Sequence, residues 1–319
     1  MKELPVIKGR GAQIHVANRF DSNHYERNLS FEDEIREDQV KTEFIKVYPK
    51  SILNKVTSPD VPGEFSLNPY QGCEHGCVYC YARVTHNYWG YSSGLDFEQK
   101  ILVKENAAAL LEKKLKSKSW KCCPIALSGN TDCYQPIEAK LKITRAILEV
   151  FFRYRHPVTI ITKNALILRD LDLLKKLNEH QLVRVAISVT SLDSALQQKL
   201  EPRTSSPLNR IKSIRKLAEV GIPVTAMMAP IIPGLTDHEI MNLAKACSDA
   251  GARDLRYTIV RLNFDLDRLF EQWLQDHLPD RKDRIINTIK SMRGGKLSAT
   301  IKENRHTGQG EVSKIISQQ

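Results

Sequence analysis

Short apolar runs alternate with amphipathic helical patterns through most of this 319-residue chain, and that alternation constrains the fold more than any other feature. Six runs read as strands: Glu64–Leu67, Pro124–Gly129, Val158–Thr162, Val183–Thr190, Pro223–Met228 and Leu255–Val260. Between them lie helical patterns. One carries Ala107, Leu110, Leu111 and Leu115 on a single face, and a second spans Glu138 to Arg153. A third carries Leu173, Leu174 and Leu177. A fourth opens on Ser206-Pro207, buries Ile211, Ile214, Leu217 and Ala218, and stops at Gly221. The next opens on a capping box, Thr236-Asp237-His238-Glu239, and closes at Gly251. Strands separated by helices pair in parallel through right-handed crossovers. The class is therefore α/β, and in parallel barrels chemistry collects at the carboxyl ends of the strands.

Between the first strand and the first helix lies Asn68-Pro69-Tyr70-Gln71-Gly72-Cys73-Glu74-His75-Gly76-Cys77-Val78-Tyr79-Cys80-Tyr81, a C-x3-C-x2-C run. Thiolates at this spacing can converge on one iron–sulfur cube, each on a different iron. Three cysteines leave the fourth iron open for a substrate or cofactor. The same spacing suits zinc if His75 completes a Cys3His set. A closed cluster would need Cys122, Cys123 or Cys133 as its fourth thiolate. Gly72 and Gly76 allow backbone to approach a bulky group closely. Beyond the run, Val78 to Tyr88 suits a short helix ending in the aromatic turn Tyr88-Trp89-Gly90-Tyr91.

Hydrophobic residues make up 41% of the chain, enough for a sizeable core, and no run approaches the roughly 20 apolar residues of a membrane span. The start, Met1-Lys2-Glu3-Leu4-Pro5, has no segment of signal-peptide type, so a cytoplasmic protein is expected. Seven cysteines, three of them in a ligand motif, argue against a disulfide framework. The formal net charge of +11 favours a polyanionic partner, nucleic acid above all. Residues 1–60 are polar with weak periodicity, an arm wrapped on the main domain or a disordered one. That arm is basic at Lys8-Gly9-Arg10-Gly11-Ala12 and Ala17-Asn18-Arg19-Phe20, and acidic at Phe31–Asp38.

Asn68–Arg83, the turn Thr131-Asp132-x-Tyr134-Gln135-Pro136-x-Glu138 and Glu201-Pro202-Arg203 resemble the radical S-adenosylmethionine (SAM) superfamily, in particular the group related to spore photoproduct lyase. The resemblance extends to Arg10-Gly11-Ala12, Asn18-Arg19-Phe20 and Arg293-Gly294-Gly295-Lys296. It implies a partial (βα)6 TIM-like barrel at 61–262, an N-terminal arm at 1–60, and a C-terminal helical extension with a mobile basic tail at 263–319. It implies a [4Fe-4S] cluster on Cys73, Cys77 and Cys80 with SAM on the open iron. One electron, from a flavodoxin- or ferredoxin-type donor, would release a 5′-deoxyadenosyl radical that abstracts hydrogen from a substrate. Tyr79 is then expected near the adenine, and Asp132 and Glu138 near the SAM amino group. Lys163 and Arg203 suit its carboxylate, Ser188 and Thr190 the ribose, and Cys133 is a candidate hydrogen donor. The lyase's own donor cysteine falls where Gly129 stands, so cluster and cofactor carry over and the substrate does not. Two other readings remain: a non-radical iron–sulfur or zinc nucleic-acid-binding protein, and a radical SAM enzyme acting on a peptide or metabolite.

Overall fold

The computed structural model describes residues 6–20, 41–58, 63–298 and 305–319. The acidic stretch Phe31–Asp38 lies outside them. Among the described residues there are ten strands: β1 (Glu43–Val47), β2 (Leu53–Lys55), β3 (Phe65–Leu67), β4 (Tyr70–Gln71), β5 (Lys100–Lys104), β6 (Ile125–Leu127), β7 (Val158–Thr162), β8 (Val183–Ser188), β9 (Val224–Ile231) and β10 (Asp254–Ile259). Seven form one sheet in the order β10-β9-β8-β7-β6-β3-β2. From β3 to β10 every neighbouring pair is parallel, and β2 adds antiparallel to β3. No described pairing joins β10 to β2, so the sheet is an open partial barrel rather than a closed one. The six parallel strands are the six expected apolar runs. Their inward residues, among them Leu67, Leu127, Ile160, Val185 and Ala226, are buried against the surrounding helices in one continuous core.

A second sheet, β1-β5-β4, was not legible in the sequence. Its strand β1, Glu-Phe-Ile-Lys-Val, shows only exposed and half-buried residues and pairs in parallel with β5. Strand β4 is two residues long and pairs antiparallel with Leu102 and Val103. That pairing matters because β4 ends immediately before Gly72-Cys73, so the small sheet fixes where the cysteine loop starts. Strands β1 and β2 thus tie residues 41–58 into both sheets rather than leaving them a separate arm.

A second apolar cluster lies on the other side of the cysteine loop. It joins Ile7, Ala12 and Val16 of the arm to Cys77, Val78 and Tyr79, and to helices Leu266–His277 and Lys282–Ser291 through Phe270, Trp273 and Ile285. Trp273 is fully buried, and its indole N–H donates to the carbonyl of Lys199 at 3.0 Å. The basic end is not the free tail expected of it. Arg293 is buried and donates to the Val260 carbonyl at 3.0 Å, and helix Glu311–Gln318 buries Ile316 with Met292.

Two helix starts differ from expectation. Thr236 does not cap its helix: its hydroxyl accepts from the Ile232 amide at 2.9 Å, and Glu239 accepts from Ser191 and Leu192. The helix expected over Glu138–Arg153 breaks at Lys142, whose φ is 53°, giving Glu138–Leu141 and Ile143–Arg153. Ser206 caps as expected, accepting from the Asn209 amide at 3.4 Å with Pro207 in the first turn.

The short 3-10 helix Tyr81–Trp89 carries His86, fully buried between Tyr91 and Phe97. Burial disfavours the imidazolium and lowers its pKa from 6.5 to about 4. The unfolded chain therefore binds the proton first. Stability is full above pH 6.5 and falls as pH drops toward 4, by about 3 kcal/mol at the limit. Urea unfolding of metal-free protein between pH 4 and 8 checks this. The difference between wild type and His86→Phe should grow steeply across that window; a constant difference would contradict it.

Candidate active site

The cysteine loop leaves β4 at the carboxyl end of β3, and Cys73 and Cys77 are buried while Cys80 is half-buried. The three thiols sense one another: burial first, then Asp132, then Cys77 and Cys80 push the Cys73 thiol up. Burial likewise raises Cys77 and Cys80. Zinc bonds of about 2.3 Å would draw ligand sulfurs to within about 4 Å of one another. Among the described residues no three His, Cys, Asp or Glu side chains are grouped to hold a single ion. Nor does His75 join the sulfurs: its Nδ1 lies 3.4 Å from Asp132 and its Nε2 bonds the Asn164 amide at 3.2 Å. Among the described residues the other four cysteines lie on other elements. Cys133 sits in the main core, Cys247 on helix Ile240–Asp249, and Cys122 and Cys123 precede β6 at the opposite rim. The donor set is three desolvated thiols that must lose protons to bind a cation. It fits a cube that leaves one iron for a non-protein ligand.

The glycines of the loop serve a different purpose from the expected one. Gly72 and Gly76 adopt φ of 80° and 69°, conformations that favour glycine. A Cβ on Gly76 would meet Glu98 Oε2 at 2.9 Å and Pro202 Cγ at 3.1 Å; one on Gly72 would meet the Lys100 carbonyl at 2.9 Å. Their missing side chains make room for protein.

The turn after β6 holds the loop in place. Thr131 donates to the Tyr70 carbonyl at 2.8 Å, and Gln135 accepts from the Glu74 amide at 2.9 Å while donating to the Gly72 carbonyl at 3.3 Å. In return Glu74 accepts from the Ile137 amide at 2.8 Å. Asp132 instead accepts from Thr162 Oγ1 and the Lys163 and Tyr134 amides, each at 2.8 Å. Glu138 is fully buried and accepts from Tyr70 at 2.5 Å, Arg169 at 2.7 Å and the Thr144 amide at 3.1 Å. Both carboxylates thus accept from three protein donors each. Cys133 is fully buried in the main core, its amide bonded to Ser128 Oγ at 2.7 Å and its carbonyl to Thr144 Oγ1 at 2.6 Å, a setting that suits packing.

Three of the remaining candidates, Tyr79, Lys163 and Thr190, converge on a residue that pattern reading passes over. Glu201, fully buried, accepts from Lys163 Nζ at 3.0 Å, Thr190 Oγ1 at 2.8 Å, the Tyr79 phenol and Arg210. Burial alone would raise its pKa. Arg210 and Lys163 outweigh burial and hold the carboxyl well below the usual range. One anion faces two cations, and both cations and Glu201 act on the buried Cys77 thiol. Lys163 also donates to the Ala229 carbonyl at 3.3 Å and lies 5.7 Å above the Tyr79 ring. Ser188 is buried at the end of β8, and its carbonyl accepts from Arg210 at 3.1 Å. Arg203, more exposed, pairs with Glu74 at 3.3 Å. Glu201 lies 9, 11, 38 and 122 residues from its four partners, so no local pattern marks it.

An open parallel barrel with three cysteine thiols on the loop after its first strand defines a cofactor-dependent α/β enzyme class. The chain belongs to the radical SAM superfamily, whose family model matches residues 67–247. The family uses a [4Fe-4S] cluster and SAM, and these are the cofactors of this protein. Radical SAM enzymes also require an electron donor. Among relatives, an uncharacterised protein of Mycobacterium tuberculosis (strain ATCC 25618 / H37Rv) is 33% identical over 76% of this chain and 72% of its own. An uncharacterised protein of Methanocaldococcus jannaschii is 32% identical over 78% of this chain and 94% of its own. A radical SAM Nalpha-GlyT isomerase of Pseudomonas phage M6 is 29% identical over 54% of this chain and 34% of its own. In fold the chain is similar to spore photoproduct lyase, solved with bound AdoMet and dinucleoside spore photoproduct. The TM-score is 0.55 at 17% identity, covering 79% of this chain and 80% of that one. No helix among the described residues is long and apolar enough to cross a membrane.

Proposed function

We propose that Cys73, Cys77 and Cys80 hold the cluster and that the protein abstracts hydrogen from a nucleic-acid substrate. The three thiols on one loop, with no fourth protein ligand beside them among the described residues, carry the first part. Bound together, cluster and SAM supply one-electron cleavage of a carbon–sulfur bond and the 5′-deoxyadenosyl radical. The chain's own residues supply position. Tyr79, Lys163, Ser188, Thr190 and Arg203 remain the SAM-facing candidates. An ammonium has three donors, and Lys163 directs two at Glu201 and Ala229, leaving one for a carboxylate. Glu201 fixes Tyr79, Thr190 and Lys163 through bonds to all three. A flavodoxin- or ferredoxin-type donor fits the electron requirement. Anaerobically reconstituted protein given SAM and dithionite should form 5′-deoxyadenosine; none above a Cys77→Ala control would overturn this reading.

Nucleic acid is favoured by the net charge of +11 and by one surface. Arg19 lies 4.7, 5.6 and 4.3 Å from the ring centroids of Phe20, Tyr88 and Phe264, all three exposed. Phe264 follows β10 at the carboxyl rim and holds a φ of 53°, a conformation rare for a bulky residue. Exposed rings around a guanidinium suit stacking of unpaired bases. Binding of single-stranded oligonucleotide should weaken steeply with salt as phosphate contacts release counterions, and Tyr88→Ala should weaken it roughly tenfold. Salt-insensitive binding, or Tyr88→Ala at wild-type affinity, would sink the nucleic-acid reading and leave the radical chemistry standing.

A further inference from the structure

The arm segment Arg10–Ala12 is seated against the cysteine loop more closely than any side chain would permit. A Cβ on Gly11 would lie 1.7 Å from the Gly76 carbonyl oxygen and 3.2 Å from the Val78 amide nitrogen. The Gly11 and Ala12 amides donate to the Glu98 carboxylate at 3.1 and 2.8 Å, and Arg10 donates to the Glu98 carbonyl at 2.8 Å. Glu98 is fully buried, and its other partner is Arg83. Arg83, equally buried, donates through Nε to the Cys77 carbonyl at 2.9 Å and through Nη1 to the Gly94 carbonyl at 3.0 Å. Gly76-Cys77-Val78 is therefore held between the arm on one side and the Glu98–Arg83 pair on another. The same carboxylate holds both.

The geometry points to a clasp. Arg10–Ala12, more than 60 residues upstream of the loop, completes the cluster-binding site and governs how firmly the cluster is retained. This rests on the cluster being held by Cys73, Cys77 and Cys80. Docking of the arm and binding of the cluster both favour one conformation of the loop, so each strengthens the other by the same factor. Gly11→Ala forces the arm off the Gly76 carbonyl. Gly9→Ala is the matched control, because Gly9 has a φ of 75° but nothing within 4 Å of a Cβ.

Two measurements test the clasp on the full chain. Iron release from reconstituted protein to bathophenanthroline disulfonate should be roughly tenfold faster in Gly11→Ala than in wild type or Gly9→Ala, a coupling of ordinary size. In wild type alone, hydrogen exchange of the amides of residues 10–12 should slow roughly tenfold when the cluster is assembled. That second readout decides the matter should Gly11→Ala fail to fold. Release from Gly11→Ala at the wild-type rate, or exchange in residues 10–12 unchanged by the cluster, overturns the clasp. Iron content and release that ignore Cys77→Ala would instead overturn the cluster assignment beneath it, and the clasp with it.

Discussion

Glu201→Gln is expected to cost about 3–5 kcal/mol, because removing one member of a buried ion network strands the others. Arg210 and Glu201 are both fully buried, and Lys163 is largely so. Burial of a carboxylate is unfavourable, and it is offset here only by two cations and two hydroxyls converging on it. Glutamine keeps the shape and loses the charge, leaving two positive groups without their counter-ion. The unfolding midpoint should fall by roughly 10 °C at this chain length. The exposed pair Lys245–Asp249, at 2.7 Å, makes the contrast. Lys245→Ala there should change stability by under about 0.5 kcal/mol. Thermal unfolding of both variants measures this; equal, small effects would show that the Glu201 network does not support the fold.

The second large effect concerns the thiols. Alanine at Cys73, Cys77 or Cys80 should lower 5′-deoxyadenosine formation by roughly a thousandfold or more, since the cofactor supplies the difficult step and the protein only holds and orients it. Cys133→Ala should leave that rate within about threefold, costing about 1 kcal/mol of stability as a small core truncation. Assays of the four variants side by side separate a cluster ligand from a buried thiol. A Cys133→Ala protein that folds and still cleaves SAM, but no longer returns hydrogen to the substrate radical, would restore the donor role that its burial argues against.

The barrel was legible because its strands are short, buried and apolar while its helices carry amphipathic stripes. Val158–Thr162 appears as read, and the other five differ by a few residues at their ends. Strands β1 and β4 carry no such signal. One is a largely exposed strand carrying Glu43 and Lys46, the other a dipeptide, and both exist through pairing with β5. In the site, the cysteine run announces itself by spacing. Of the polar residues after β6, Asp132 and Glu138 suit ligand contacts in the sequence because a motif reports residue type and not direction. Thr131, Asp132, Gln135 and Glu138 point into the protein and brace the cysteine loop and its neighbours. Glu201 was passed over for its neighbour Arg203, since a buried anion is defined by cations that only the fold brings to it.

The central claim, three thiolates and one open iron, is tested most directly by electron paramagnetic resonance of the anaerobically reconstituted, dithionite-reduced protein with and without SAM. The account predicts a reduced [4Fe-4S] signal, lost in Cys77→Ala, whose g values change when SAM is added. A signal indifferent to SAM, or an iron-free protein holding zinc, would contradict it.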